Sequence, residues 1–255
     1  MWIFLGLSAA LSWSIWFLPN PSRVLYISVA GWRVTWPLSN LKLVVGNCLP
    51  GVLALIWASA EGQLNYLLSS LVAWRVERRW YVFAIVFPCG IFAIASFLVL
   101  TFYETKLTQP TALILVNSLV SLLFGPIWEE MAWRAFALRK FQVRHSQMTA
   151  ALIIGVYWAV WHIPLWIMTL SYLTPTLLLV ISVNLVCWSV IFAFLYDRSG
   201  QSLPVVILLH ATILVVQNLV FAMLSSDAVH IIPIAAALSF CLAIIAANDW
   251  TRSSG

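Results

Sequence analysis

The chain has 255 residues, of which 63% are hydrophobic and only 8% are charged, and its formal net charge is +5. A soluble domain carries about 25% charged residues, so this composition excludes most soluble enzymes, a disordered chain and a disulfide-rich secreted domain. The basic residues form no continuous stripe, which argues against a nucleic-acid-binding protein. We therefore predict an all-α, polytopic membrane protein.

Long apolar runs predict about eight transmembrane helices within a single membrane domain over residues 1–255. In chain order the runs cover residues 2–18, 42–60, 80–101, 111–128 with a continuation toward 138, 149–171, 175–196, 203–224 and 230–247. No basic segment precedes the first run and no small-residue cleavage motif follows it, so we interpret it as a span rather than a signal peptide. The mixed stretch 61–79 predicts an interfacial amphipathic helix that ends in a basic cluster.

Two basic clusters predict the orientation, because Lys and Arg are enriched in cytosolic loops. The clusters at 75–79 and 139–144 are both expected on the cytosolic side. Residues 19–42 disagree, since they also carry basic residues but would lie on the outer side. Either this stretch is a re-entrant or interfacial hairpin, or the first span is assigned wrongly.

Ionisable residues inside a membrane span are costly and are functional candidates. The fourth run ends with Glu129 and Glu130 side by side, and Arg134 lies one helical turn after Glu130. Two neighbouring carboxylates in hydrocarbon cannot both be unpaired anions. We therefore expect Arg134 to pair with Glu130 and Glu129 to be free to act as a general base. The alternative is that these residues mark a helix end at the cytosolic interface.

Two histidines also lie inside predicted spans, His162 in the fifth run and His210 about two turns into the seventh. A lone histidine on an apolar helix face is more often a buried structural residue than a ligand. At 1.5 Å per residue, however, Glu129, His162 and His210 all fall roughly 10–20 Å below the cytosolic boundary. Two imidazoles and a carboxylate pair at a shared depth can hold a water, or a metal with a water.

Three ordered motifs resemble those of the CAAX-protease and bacteriocin-processing family of intramembrane proteases, also called the abortive-infection family. They are Glu129-Glu130-x-x-x-Arg134, an aromatic-x-x-x-His formed by Trp158 and His162, and His210-Ala211. The likeness covers about residues 74–222 and implies an eight-helix fold with its protease core there, after N-terminal spans and an interfacial helix over 1–73. It also implies a peptidase in the cytoplasmic membrane of a bacterium, with a membrane-associated protein or peptide as substrate.

The resemblance also implies a role for each matching residue. Glu129 would activate the attacking water, Glu130 and Arg134 would support it, and His162 and His210 would position the water or bind a metal. Because the family is usually grouped with metalloproteases, a zinc ion on His162, His210 and Glu129 is one implication, and a water without a metal is the other. Nearby tryptophans, at positions 133, 158 and 161, either pack the core or line a substrate cavity.

One position departs from the family pattern. The family usually has Asn, or another polar residue, four positions after its second His, where it is thought to donate to the tetrahedral oxyanion; this chain has Leu214. Loss of such a donor costs about 10²–10³-fold in rate elsewhere. Thr212, Asn184 and tryptophan side chains are possible substitutes, and nothing in the sequence selects among them.

Leu214 therefore keeps a second hypothesis open, in which the chain is a catalytically weak or inactive relative that acts as a membrane immunity or partner scaffold. A small proton-coupled transporter is a third hypothesis. It is weakened because the second half of the chain contains no parallel motif, which inverted-repeat transporters tend to show.

Overall fold

The computed structural model describes residues 1–19, 24–29, 32–37, 39–105, 107–109, 114, 118, 120, 124–224 and 228–252. Nearly all of these residues are helical, which confirms the predicted all-α class. In chain order the elements are α1 (Trp2–Trp16), β1 (Val24–Val29), β2 (Trp32–Pro37), α2 (Ser39–Ala60), α3 (Leu64–Leu71), α4 (Arg78–Phe102), α5 (Pro126–Glu130), a π-helical segment (Met131–Leu138), α6 (Arg139–Gln142), α7 (Gln147–Thr169), α8 (Pro175–Arg198), α9 (Leu203–Leu224) and α10 (Ala228–Arg252).

Six helices, α2, α4, α7, α8, α9 and α10, are long and apolar enough to cross a membrane. Helix α1 is apolar but has only 15 residues, which at 1.5 Å each is shorter than a hydrocarbon core of about 30 Å. Large apolar side chains are exposed on each of the six long helices: Ile56 of α2, Val86 and Phe97 of α4, Ile167 of α7, Leu179 of α8, Met223 of α9 and Ile245 of α10. Such surfaces are suited to lipid rather than to water. The chain is a multi-pass integral membrane protein.

The predicted number of eight spans is not reached among the described residues. Most of residues 111–123, where the fourth predicted span begins, lie outside the described part. The rest of that run continues through α5 and the π-helical segment into α6. The helical part of the stretch 61–79 is α3, and its placement at the membrane interface remains a prediction.

The stretch between the first two helices contains a β-hairpin. Strands β1 and β2 pair antiparallel in a register that runs from Val24 opposite Pro37 to Val29 opposite Trp32. A hairpin was one of the two open interpretations of residues 19–42, and its placement relative to the membrane stays a prediction. The assignment of the first span also stays a prediction, because α1 is shorter than the six candidate spans. Residues 20–23, 30, 31 and 38 of this stretch lie outside the described part.

Helix α8 lies at the centre of the bundle and packs against both α7 and α10. Gly155 of α7 allows a close approach, because a Cβ there would lie 2.9 Å from the Cβ of Ser189 and 3.1 Å from the Cα of Val186. Ser189 Oγ also donates to the carbonyl oxygen of Ala151 at 3.0 Å. Small residues let membrane helices approach in this way, and these contacts fix the antiparallel register of α7 and α8.

Basic residues of α6 and α8 gather at one end of the bundle, which we call the basic end. The contacts that join the elements there are Arg198 with Asp249, Lys140 with Glu61, Gln142 with Asp197, and Ser202 with the carbonyl oxygen of Ala73. The Lys140 ammonium, hydrogen-bonded to the Glu61 carboxylate, lowers the pKa of Glu61. The ends of α2, α6, α8 and α10 are thus tied together on the side where the sequence predicts the cytosol.

Helices α2 and α5 approach each other at Gly51. A Cβ at this position would lie 2.7 Å from the carbonyl oxygen of Trp128 and 2.9 Å from its Cα. Because both are backbone atoms, α5 itself would have to move. We expect Gly51→Ala to lower the free energy of unfolding by about 1–3 kcal/mol, measured by thermal unfolding in detergent.

Gly90→Ala in α4 is the matched control for this prediction, since nothing lies within 4 Å of a Cβ at that position. Alanine favours a helix over glycine, so the control should keep or slightly gain stability. Equal stability of the Gly51 and Gly90 variants would show that the contact with α5 does not matter.

Candidate active site

Glu129 lies in the short helix α5, and only 3% of its surface is exposed. The helix begins with Pro126, whose fixed φ suits the first helical position. Trp158 of α7 donates its Nε1–H to Oε2 of Glu129 at 2.8 Å. This hydrogen bond fixes the carboxylate and leaves Oε1 for a second partner.

Glu130 contacts a different set of partners. Its Oε1 lies 2.7 Å from Nδ1 of His210, and its Oε2 lies 3.2 Å from Nε of Arg134. A carboxylate can only accept, so Nδ1 of His210 carries the proton and Nε2 is the nitrogen left for a ligand. Glu130 and Arg134 are fully buried and His210 is 5% exposed. The spacing of Glu130 and Arg134 had predicted this ion pair, and the structure contains it.

The Arg134 guanidinium lies against two aromatic rings, Trp158 and Phe192, which also contact each other. Its Cζ lies 4.8 Å from the ring centre of Trp158 and 4.7 Å from that of Phe192. These cation–π contacts supplement the ion pair, since none of the three guanidinium nitrogens has a hydrogen-bond partner among the described residues. Arg134 is the fourth residue of the π-helical segment, all of whose residues are buried. π-Helical segments are rare in proteins as a whole, and those that occur are often found at functional sites.

His162 of α7 is held by its own helix. Its Nδ1 lies 2.9 Å from the carbonyl oxygen of Trp158, and because a carbonyl only accepts, Nδ1 carries the proton. The ring also stacks on Trp166, with centroids 5.4 Å apart and an interplanar angle of 22°. The imidazole is therefore fixed in a tautomer whose Nε2 is an acceptor.

A cavity of about 780 Å³ joins three of the predicted residues, because Glu129, His162 and His210 all line it. Glu130 and Arg134 are not part of its wall and lie behind it, in contact with those that are. The wall of the cavity extends from the buried carboxylate of Glu129 to the C-terminal end of α7. Beyond that end it includes the half-exposed Tyr172. The cavity therefore extends away from the basic end of the bundle.

The sequence named Trp158 as a motif residue and as a possible cavity residue, but it did not predict that Trp158 connects the residues of the site. Trp158 contacts Glu129, Arg134 and His162 and also lines the cavity. The other two candidate tryptophans, Trp133 and Trp161, are fully buried in the core. The place of Trp158 one turn before His162, on the same helix face, was the available indication. Nothing in the sequence distinguished Phe192 from the chain's other phenylalanines.

The fit of a metal ion can be judged from the donors. Catalytic zinc usually has three protein ligands, but no group of three or more His, Cys, Asp or Glu side chains in the described part of the chain is placed to hold an ion. The arrangement thus does not fit a three-ligand zinc site. Zinc on His162, His210 and Glu129 remains a prediction without support from this geometry.

Comparison with known proteins agrees with the three motifs. Residues 110–216 match the family described as type II CAAX prenyl endopeptidase Rce1-like, and the match includes every predicted site residue from Glu129 to His210. A curated relative, CAAX prenyl protease 2 of Methanococcus maripaludis, is 37% identical over 57 residues, or 22% of this chain and 21% of the relative. The alignment thus spans about one fifth of that relative's length.

Proposed function

We propose that this chain, which belongs to the CAAX-protease family, is an intramembrane endopeptidase that hydrolyses a peptide bond in a membrane-associated protein or peptide. We infer further that it lies in the cytoplasmic membrane of a bacterium with its basic end toward the cytosol, because Lys and Arg in short loops favour that side. The observation that carries the proposal is that Glu129, His162 and His210 line one cavity inside the bundle.

In this mechanism the cavity holds a water between a carboxylate and an imidazole. Oε1 of Glu129 accepts one proton of the water, while Nε2 of His162 accepts a hydrogen bond from the other O–H. The water oxygen forms a bond to the substrate carbonyl carbon, and the π electrons move onto the carbonyl oxygen. When the tetrahedral intermediate collapses, the C–N bond breaks and the nitrogen leaves with the proton that Glu129 had taken. The products are a carboxylic acid and an amine.

Glu130 and Arg134 act through other residues in this proposal. Glu130 holds Nδ1 of His210, which fixes the ring and leaves Nε2 for a ligand, as carboxylates do for functional histidines in many enzymes. Arg134 neutralises Glu130 in surroundings where an unpaired charge is costly. Neither residue lines the cavity, so both are positioning residues.

The proposal is tested with the purified chain in liposomes and three kinds of peptide. One ends in a prenylated C-terminal motif, as the name of the curated relative suggests; the second is a soluble leader peptide, and the third is a membrane-spanning segment. Mass spectrometry of the products would show cleavage and identify the substrate class. Absence of cleavage in all three would favour the scaffold hypothesis that Leu214 keeps open.

We expect His162→Ala to lower the cleavage rate by roughly 10²-fold, because loss of positioning at the reacting atoms costs about that much. Initial rates in liposomes measure the effect. His145→Ala is the matched control, since His145 is exposed in the turn before α7 and should keep full activity. Full activity of the His162 variant would remove this residue from the mechanism.

A further inference from the structure

The proposed hydrolysis places negative charge on the former carbonyl oxygen, and that oxygen needs a hydrogen-bond donor. The Nδ1–H groups of both site histidines already donate to other acceptors. One turn beyond His210 on α9, Leu214 lines the cavity with a side chain that cannot donate. A donor therefore has to come from another part of the wall.

Asn184 lies in the middle of α8 and lines the cavity. It is the one Asn or Gln in this helix. Its Oδ1 is buried and has no hydrogen-bond partner among the described residues, although burying an unpaired polar atom is costly. A 180° rotation of the side-chain amide exchanges the positions of Oδ1 and Nδ2, so Asn184 can present an N–H to a ligand.

The register of α7 and α8 places Asn184 at the depth of the site. Gly155 lies against Val186 and Ser189, and the two helices run antiparallel, so Trp158 and Asn184 are within about one turn of the same level. Trp158 is also the residue that binds Glu129 through its indole and His162 through its carbonyl. The Asn184 amide therefore lies at about the same depth as the space between Glu129, the proposed base, and His162, which accepts a hydrogen bond from the proposed water.

Two polar residues of α9 are less suitable. The hydroxyl of Thr212 donates to the carbonyl oxygen of Leu208 at 2.8 Å. Asn218 donates to Ser118 Oγ at 3.4 Å and lies about 12 Å along the helix from His210. The Thr212 donor is therefore engaged, and Asn218, whose amide keeps a second N–H, is distant.

Asn47 of α2 also lines the cavity and has a buried Oδ1 with no partner in the described part of the chain. Its neighbour Cys48 contacts the carbonyl oxygen of Phe124 at 3.5 Å, so Asn47 is level with the residues before α5. Glu129 lies five residues, or about 8 Å, further along. Asn47 is thus placed to contact a bound peptide away from the reacting bond.

We propose that Asn184 is the residue that stabilises the oxyanion in this chain, donating from α8 the hydrogen bond that Leu214 cannot donate from α9. This inference rests on the proposed peptidase function. It assigns a further catalytic residue and explains how an active enzyme can have leucine at position 214.

The test compares Asn184→Leu, Leu214→Asn and the double variant in the liposome assay, with kcat and KM measured separately. Asn184→Leu removes the amide at similar volume and is expected to lower kcat by about 10²–10³-fold while KM stays close to the wild-type value. Adding Leu214→Asn restores a donor from the opposite wall and is expected to recover most of that loss. Asn47→Leu, the same change elsewhere in the cavity, should alter KM rather than kcat.

The outcomes separate this inference from the function on which it rests. If the wild type cleaves and Glu129→Gln does not, but Asn184→Leu keeps its kcat, the peptidase function stands and the role of Asn184 is overturned. A loss of kcat that the second substitution fails to restore also overturns it, because a merely structural role would respond in that way. An inactive wild-type protein overturns both.

Discussion

Glu129→Gln is expected to reduce the cleavage rate by about 10²–10⁴-fold, the usual contribution of a general base. The substitution keeps the size of the side chain, and the amide oxygen can still accept from Nε1 of Trp158, which lies 2.8 Å from Oε2 in the wild type. The fold should therefore survive while the proton acceptor is lost. Initial rates in liposomes measure the effect, and thermal unfolding checks that the variant is folded.

The pH dependence of the rate adds a second measurement. Because the base has to be ionised to accept a proton, the wild-type rate should fall on the acidic side of its profile, and the residual activity of Glu129→Gln should lose that dependence. Glu77→Gln is the control, since Glu77 is exposed and pairs only with Arg79 among the described residues. If Glu129→Gln were as active as this control, the proposed chemistry would be wrong.

Arg134→Leu is expected to lower the free energy of unfolding by about 3–5 kcal/mol, the cost of leaving a buried charge without its partner. Both Arg134 and Glu130 are fully buried, so Glu130 could not recover the lost interaction from solvent. The aromatic contacts of the guanidinium with Trp158 and Phe192 would be lost as well. Equilibrium unfolding in mixed micelles measures the change.

A double variant distinguishes lost pairing from lost packing. If the uncompensated Glu130 is the main cost, Glu130→Gln combined with Arg134→Leu should recover part of the stability but remain impaired in catalysis, since His210 loses its charged partner. Arg79→Leu is the surface control, because its ion pair with Glu77 is exposed and such pairs contribute about 0–1 kcal/mol. A loss for Arg134→Leu no larger than for Arg79→Leu would contradict this account of the buried pair.

The residues proposed for the site could be selected as candidates from the sequence because the chain has so little charge. Ionisable residues inside apolar runs stand out when only 8% of all residues are charged. Their partners could not be predicted in the same way. Glu130 and His210 are 80 residues apart, and their contact depends on how α9 packs beside α5. Only the local pair of Glu130 with Arg134 could be inferred from spacing.

The fold shows the same division between local pattern and packing. Bilayer thickness sets the length of a span, so the six long helices could be located from apolar runs. The hairpin of β1 and β2 has no such length rule and remained one of two interpretations. The π-helical segment was not predicted, because its residues are ordinary helix formers and the widened turn reflects packing around buried side chains.

The close approach at Gly51 has a consequence for genetics. Gly51 has no side chain to take part in chemistry, yet the backbone that it touches belongs to Trp128, the residue directly before Glu129. A random screen for loss of function should therefore return substitutions at Gly51 together with those at the carboxylates and histidines. The two groups should differ in kind: alleles at the chemical groups are impaired at every temperature, whereas small substitutions at Gly51 should be temperature-sensitive because all reacting groups remain present.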